Sequence, residues 1–347
     1  MKNESRHHII DISSATLLKV VGFGAAIWIV MNLRDIILML FGVFLFVAMV
    51  APTITKLQRY MSRFLAVFYF YILMLVIVGI LAAVVVPNVL FQINGLAHAF
   101  PHIARLTTNF IHTSQFQPYL PVVTKAFETI STALNNFSND FLNTTVSLLS
   151  NIAIVVTGVV ISFYLLLEEK NAREFLHQVL PPGRFEPMYN TISKISERMG
   201  SWGRGQIMLM CIIGASNLIG FFLIHLPSPL PLGIWAGICE VLPYIGPFLG
   251  LVPALIVAIT TGSIVKVISV LVISMLIVQQ LEAHIIVPKI MGKAIGLSPV
   301  LVTLSLLIGA QLFGFGGAIL AIPIAAVTSV IVGDWPQLRT MWETEEK

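Results

Sequence analysis

The sequence predicts an all-α polytopic membrane protein with about six full spans, two re-entrant helical hairpins in inverted orientation, and a long external amphipathic helical hairpin. Hydrophobic residues make up 57% of the 347 and charged residues 10%, with a mean hydropathy of +0.93, more apolar surface than a soluble domain of this size needs. Several windows approach or exceed the ~20 residues with which a helix crosses ~30 Å of hydrocarbon. The apolar runs are continuous, without the period-2 alternation of a membrane barrel, so they read as helices.

The opening stretch, "MKNESRHHIIDISSATLLK", is polar for too long to be a signal n-region, and no A-x-A-like site follows, so the first span (about 17 to 33) reads as retained. Lys2, Arg6 and Lys19 stand on its N-terminal side, and Lys56, Arg59 and Arg63 follow a second span (about 36 to 54). Both groups are expected in the cytoplasm. A third span (about 64 to 86) leads into an interval, 87–146, whose only basic residues are Arg105 and Lys125, which places it outside. A fourth span (about 147 to 167) returns to 168–204, where Lys170, Arg173, Arg184, Lys194, Arg198 and Arg204 mark the inside.

The external interval keeps a helical beat: Val86, Leu90, Ile93, Leu96, Phe100, Ile103, Leu106 and Phe110, then, past "QPYLP", Val123, Phe127, Ile130, Leu134, Phe137 and Phe141. These spacings give two amphipathic helices around a proline turn. The two stripes either face each other, or the second faces a neighbouring subunit of a homo-oligomer. Inside the cell, Met188, Ile192, Ile195, Met199 and Trp202 predict a helix lying at the interface before the fifth span (about 206 to 225). The chain thus divides into spans 1–86, the external hairpin 87–146, a fourth span with the interfacial helix 147–204, a transport core 205–332 of two span-plus-hairpin repeats, and a cytoplasmic tail 333–347.

Between Gly205 and Leu281 the only formal charges are Glu240 and Lys266. The window 231–260 would be about 45 Å long as a straight helix, and "PYIGP" cuts it into halves of about 21 Å, too short to span. The window 299–332, about 51 Å, is interrupted at "FGFGG" (313 to 317). Paired, Gly/Pro-interrupted windows point to a transporter's binding site. If both crossed once, Lys289 and Lys293 would fall outside; as re-entrant hairpins on either side of a seventh window (about 264 to 282), they fall inside. Irregular backbone at membrane depth needs protein or water to satisfy it, so the two tips should meet around a solute path.

Pro243 and Pro247 remove backbone donors and Gly246 tolerates unusual dihedrals, so the break frees polar groups one turn beyond Glu240. Two roles stand open for this acid. It alternates between charged and neutral forms as a coupling or substrate group, or it accepts hydrogen bonds from the freed amides and locks the hairpin. "QQLE" adds Gln279, Gln280 and Glu282 to the candidate path. Gln279 and Glu282 share a helix face, although polar residues at a span's end also reach for the interface. His284, Asn217 and Ser216 are weaker candidates, since such groups also bond between helices. Gly314, Gly316, Gly317 and Pro323 are the candidate tip backbone of the second hairpin.

"GQIMLM" (205 to 210), "EVLPYIGPFLGLVPA" (240 to 254), "QQLEAHIIVPKIMGKAIGLSP" (279 to 299) and "GFGGAILAIPIAA" (314 to 326), in this order and spacing, resemble the autoinducer-2 exporter family. The resemblance is specific from Phe163 to Val332. It implies an inner-membrane transporter, oligomeric with a moving core, that exports autoinducer-2 or another small solute or exchanges sodium or lithium for protons. The family's glutamate and Pro-x-x-Gly-Pro signature falls on Glu240, Pro243, Gly246 and Pro247, and its later glutamate, proline and glycine on Glu282, Pro288 and Gly292. His284 and Ser298 depart from the asparagine and histidine common in members, which puts a role for these two side chains in doubt.

Other classes find little support. No G-x-x-x-x-G-K-[ST] loop, H-E-x-x-H or G-x-S-x-G motif is present, so neither an ATP-driven pump nor an enzyme is expected, and no cofactor. Pro101 interrupts the helix between His98 and His102, which have no accompanying carboxylate, and Cys211 and Cys239 lie in apolar windows; no metal site or disulfide is expected. The net charge of +4 is spread over loops, unlike a nucleic-acid surface. The expected partners are the bilayer, a small solute and H+ or Na+. Sparse intramembrane carboxylates favour proton-coupled export of a small organic solute; a sodium (lithium)/proton antiporter and a gradient-driven channel are the alternatives.

Overall fold

The computed structural model describes residues 32–112, 152–168, 185–291 and 297–343, with isolated positions within 21–28, 117–132 and 174–181; over 92–112 it gives the backbone course. Most of the first span, most of the second external stripe and Gly292 lie outside the described residues. Among those described, the structure is helical without strands: α1 Arg34–Leu57, α2 Arg63–His112, α3 Ile152–Leu167, α4 Phe185–Leu223, α5 Pro229–Cys239, α6 Gly246–Thr260, α7 Ile264–Met291 and α8 Pro299–Glu343. Five of these, α1, α2, α4, α7 and α8, are long and apolar enough to cross a membrane.

Some boundaries differ from expectation. The third span and the first external stripe form one helix, α2, of 50 residues and about 75 Å. The stripe 188–202 is likewise continuous with the fifth span in α4, of 39 residues. Its single proline, Pro187, falls in the first turn, where a missing N–H is harmless. Met199 and Trp202 are buried, and Trp202 packs with Met291 and Ile322 instead of lying on a membrane surface. The seventh window runs on to Met291, so Glu282 and Pro288 lie inside α7, and α8 continues through the expected tail to Glu343.

Two prolines create contacts between helices. Pro52 has no N–H for the carbonyl of Ala48, four residues earlier in α1. Arg204 of α4 donates to that oxygen and to Met49 O, each at 3.4 Å. Gly200 makes the approach possible, because a Cβ there would run into the Ala48 carbonyl. Pro253 in α6 similarly frees the Leu249 carbonyl, which accepts from the Trp235 indole of α5 at 3.0 Å. Gly200→Ala is expected to cost about 1–3 kcal/mol by overpacking backbone that cannot yield. A lowered thermal midpoint in detergent, with Gly79→Ala as the control in open space, checks this.

The core that positions the site is built twice from a long helix followed by a hairpin. After α4, α5 and α6 fold back on each other around 240–245, where Tyr244 takes φ 67°. Glycines bring backbones together: Gly214 of α4 faces Gly233 O and Gly237 Cα of α5, with room for a Cβ only at 3.1 and 3.3 Å. After α7, α8 reverses at Gly314, whose φ 62° and ψ −144° suit glycine almost exclusively. The reversal seats Gly317 against Gly309 and Ala321 near Gly309. Gly317 and Pro323 are buried, whereas Gly316 is exposed. The hairpins touch near their breaks, since Val241, Leu242 and Leu249 pack with Leu306, Ala318 and Ile319. The remaining helices brace this core. Val85 and Val89 of α2 pack on Ile234, Trp235, Val252 and Ile256, and α2 is tied to α3 by Tyr71 Oη to Ser162 Oγ at 2.6 Å and Arg63 Nε to Leu166 O at 2.7 Å.

Candidate functional site: a carboxyl pair at a helix break

Glu240 directly follows α5, one residue past its last turn, and is 1% exposed. The break holds itself together through main-chain bonds: Val241 N to Ile238 O, Leu242 N to Cys239 O and Gly246 N to Leu242 O at 3.2, 3.1 and 2.7 Å. Gly246 sits so close to Cys239 O that a Cβ would collide with it. These amides are therefore occupied by carbonyls, and the Glu240 side chain does not cap them. Its main-chain oxygen accepts from Gln206 Nε2 of α4 at 2.7 Å, which fixes the residue against the long helix.

The side chain points into a small cavity of about 10 Å³, the room of a single water. Asn217 from α4, Pro247 and Gly250 from α6, and Ser274, Gln279 and Glu282 from α7 share its wall. Glu282 comes within hydrogen-bonding reach of Glu240, and among the described residues no Lys, Arg or His lines the cavity. Two carboxyl groups in contact without a basic neighbour require a positive charge between them, a proton or a cation. Glu240 Oε2 and the Trp202 indole N–H are buried and have no hydrogen-bond partner among the described residues. Such orphans are uncommon in folded proteins and mark places where a guest can bind.

Helix geometry in α7 makes the pairing possible. Ser274, Val278 and Glu282 are spaced by four, and on a regular α-helix each step of four turns the side chain by about 40°, carrying Glu282 away from the face of Ser274. The wider π segment Val272–Val278 offsets that drift, so that all three line one cavity. Ser274 Oγ donates to Asn217 Oδ1 at 2.9 Å, while Asn217 Nδ2 donates to Ile213 O at 3.0 Å. Ser274→Ala is expected to destabilise the protein by about 1 kcal/mol, toward the upper range for interhelical bonds in membranes, because Asn217 Oδ1 stays buried without a donor. Thermal unfolding of the variant beside Asn217→Ala and the double variant checks this coupling.

Of the residues singled out in the sequence, Glu240, Pro247, Gln279 and Glu282 line the cavity. Pro243 and Gly246 shape the break beside it. Gln280 and His284 are exposed, with His284 Nδ1 3.2 Å from Gln280 O, and Ser216 does not reach the cavity. Pro288 is exposed on α7. Asn217, given little weight, is central, while Ser274 and Gln206 were missed. Their signal was position: Gln206, Ile213 and Asn217 fall on one face of α4, and Ser274 is the lone hydroxyl in "VISMLIV". Among the described residues no cluster of three His, Cys, Asp or Glu could hold a metal ion.

Long apolar helices packed around a helix break and an acid pair, one member fully buried, define a multi-pass membrane protein of the kind that moves small solutes. The chain belongs to the AI-2E family transporters, whose family model matches residues 17–337. It is similar to YueF of Bacillus subtilis (strain 168), a candidate transport protein, with 29% identity over 293 residues, 80% of this chain and 78% of YueF. YrrI of the same organism, also a candidate transport protein, is 40% identical over 146 residues, covering 42% of this chain and 41% of its own. PerM of Escherichia coli (strain K12), a candidate permease, is 26% identical over 176 residues, covering 50% of this chain and 49% of its own.

Proposed function

We propose that this chain is a secondary transporter of the inner membrane that exports a small organic or signalling solute, driven by an ion gradient through the Glu240–Glu282 pair. The observation that carries this reading is the pair itself, two acids in one small cavity with no basic neighbour among the described residues, at the break of a hairpin that touches the second hairpin. A proton held between the carboxyls is exchanged as the cavity opens to either side, and the hairpins are the elements that move. The α5 and α6 arms, of 11 and 15 residues, reach about 16 and 22 Å, short of ~30 Å of hydrocarbon, which supports a hairpin that enters and leaves on one side. With Lys289 placed inside by the charge bias, both termini are cytoplasmic.

Sodium (or lithium)/proton antiport is the second reading. A void of about 10 Å³ lined by the oxygens of Glu240, Glu282, Asn217 and Ser274 suits an ion or a water better than an organic molecule. Purified protein in liposomes with a pH-sensitive dye inside separates the two. Proton flux after an imposed sodium gradient favours antiport; flux only on addition of organic solute favours export. Saturation with solute concentration distinguishes either carrier from a channel.

A further inference from the structure

We propose that the open cleft between the N-terminal half of α4 and the return arm of α8 binds a small zwitterion, with its acidic group on Arg198 and its ammonium on Glu197. This cleft is separate from the carboxyl pair and has a volume of about 510 Å³, within the usual range for small-molecule sites. Its charged and hydroxyl lining is Lys194, Glu197, Arg198 and Ser201 from α4 with Ser329 and Asp334 from α8.

The walls are braced before any ligand arrives. Lys194 Nζ lies 2.9 Å from both oxygens of Asp334, and Thr191 Oγ1 donates to the same carboxylate at 2.9 Å. That brace uses up one positive and one negative charge. Arg198 and Glu197 remain, and among the described residues neither makes a hydrogen bond or ion pair. Consecutive residues on a helix point about 100° apart and do not face each other, so these two do not neutralise one another. Arg198 is half-buried, its guanidinium presenting a planar fork of donors suited to a carboxylate or phosphate. One turn on, Ser201 Oγ accepts from Arg204 Nη2 at 3.2 Å, which leaves its own O–H free to donate to the same acid. A simple anion is a poorer fit, because Glu197 would repel it; an ammonium beside the acid converts that repulsion into a charge-assisted hydrogen bond.

Two sources supply this chemistry: a free amino-acid-like solute and the headgroup of phosphatidylethanolamine. Trp335, exposed and adjacent to Asp334, is the residue type enriched at headgroup level, which suits the lipid. The test titrates the purified full chain with O-phosphoethanolamine and, separately, inorganic phosphate, for the wild type, Arg198→Gln and Glu197→Gln. Saturable phosphoethanolamine binding, tighter than phosphate and weakened about tenfold or more by each variant, is expected. Absent saturation, unchanged affinity in both variants, or phosphate binding as tightly as phosphoethanolamine would overturn the proposal. Among the described residues neither side chain makes a bond, so both variants should keep the wild-type melting profile, and Ser201→Ala gives a third, milder variant. Native mass spectrometry from mixed nanodiscs then assigns the source. Retention of phosphatidylethanolamine over phosphatidylcholine, lost in Arg198→Gln, identifies the headgroup; no lipid preference beside intact phosphoethanolamine binding identifies a free solute.

Discussion

Glu240→Gln is expected to reduce gradient-driven flux in liposomes to the level of empty vesicles while leaving the protein folded. The substitution keeps size and polarity but removes the acid from a contact that needs a shared positive charge. Glu282→Gln should do the same, and the double variant should be no slower than either single one, because two groups that hold one charge act as a unit. If sodium drives proton flux in the wild type and Glu240→Gln abolishes it, the pair is the exchange site of an antiporter. If flux appears only with an organic solute and is lost in the same variant, the pair couples export. Wild-type flux in a folded Glu240→Gln protein would instead make Glu240 a passive resident of the cavity and remove the basis of the transport mechanism proposed above.

Deleting Ile277 and Gln280 together is expected to be nearly as damaging, although both residues are exposed and neither lines the cavity. Loss of Ile277 takes the extra residue out of the π segment Val272–Val278 and lets α7 close into a regular α-helix, with Ser274 and Glu282 seven residues apart and still on one face. Loss of Gln280 as well, with no surplus residue left to absorb it, turns every side chain beyond by about 100°, and Glu282 leaves the Glu240 face. Flux should fall as in Glu282→Gln, and the thermal midpoint should fall with it, because Val287 and Met291 leave the cluster around Trp202. The single Ile277 deletion should keep both flux and stability. Full activity in the double-deletion variant would show that the register of α7 is immaterial.

Much of this arrangement was legible in the sequence, because the signals were strong and local. Continuous apolar runs specify helices in lipid, where backbone groups must be satisfied within the segment. "PYIGP" had to break a helix, and "FGFGG" contains the one glycine, Gly314, whose dihedrals almost only glycine adopts. Glu240 stood out for a related reason, as a lone acid in an apolar window calls for a partner. Identifying that partner was harder. Glu282 looked like an interfacial residue because the apolar window faded after it, yet α7 continues for nine residues, to Met291.

Hydropathy and helix-breaking residues, acting through local backbone chemistry, determined by themselves that this is a helical membrane chain with interruptions at 240–247 and 313–317 and an acid beside the first. Tertiary structure alone decided that Glu240 meets Glu282 across 42 residues, that Ser274 holds Asn217, and that Arg204 and Trp235 take the carbonyls freed by Pro52 and Pro253. Those outcomes depend on how far each helix is wound and how closely glycines let neighbouring backbones approach. Both are properties of packing between segments distant in sequence, and a π turn leaves no composition of its own to be read.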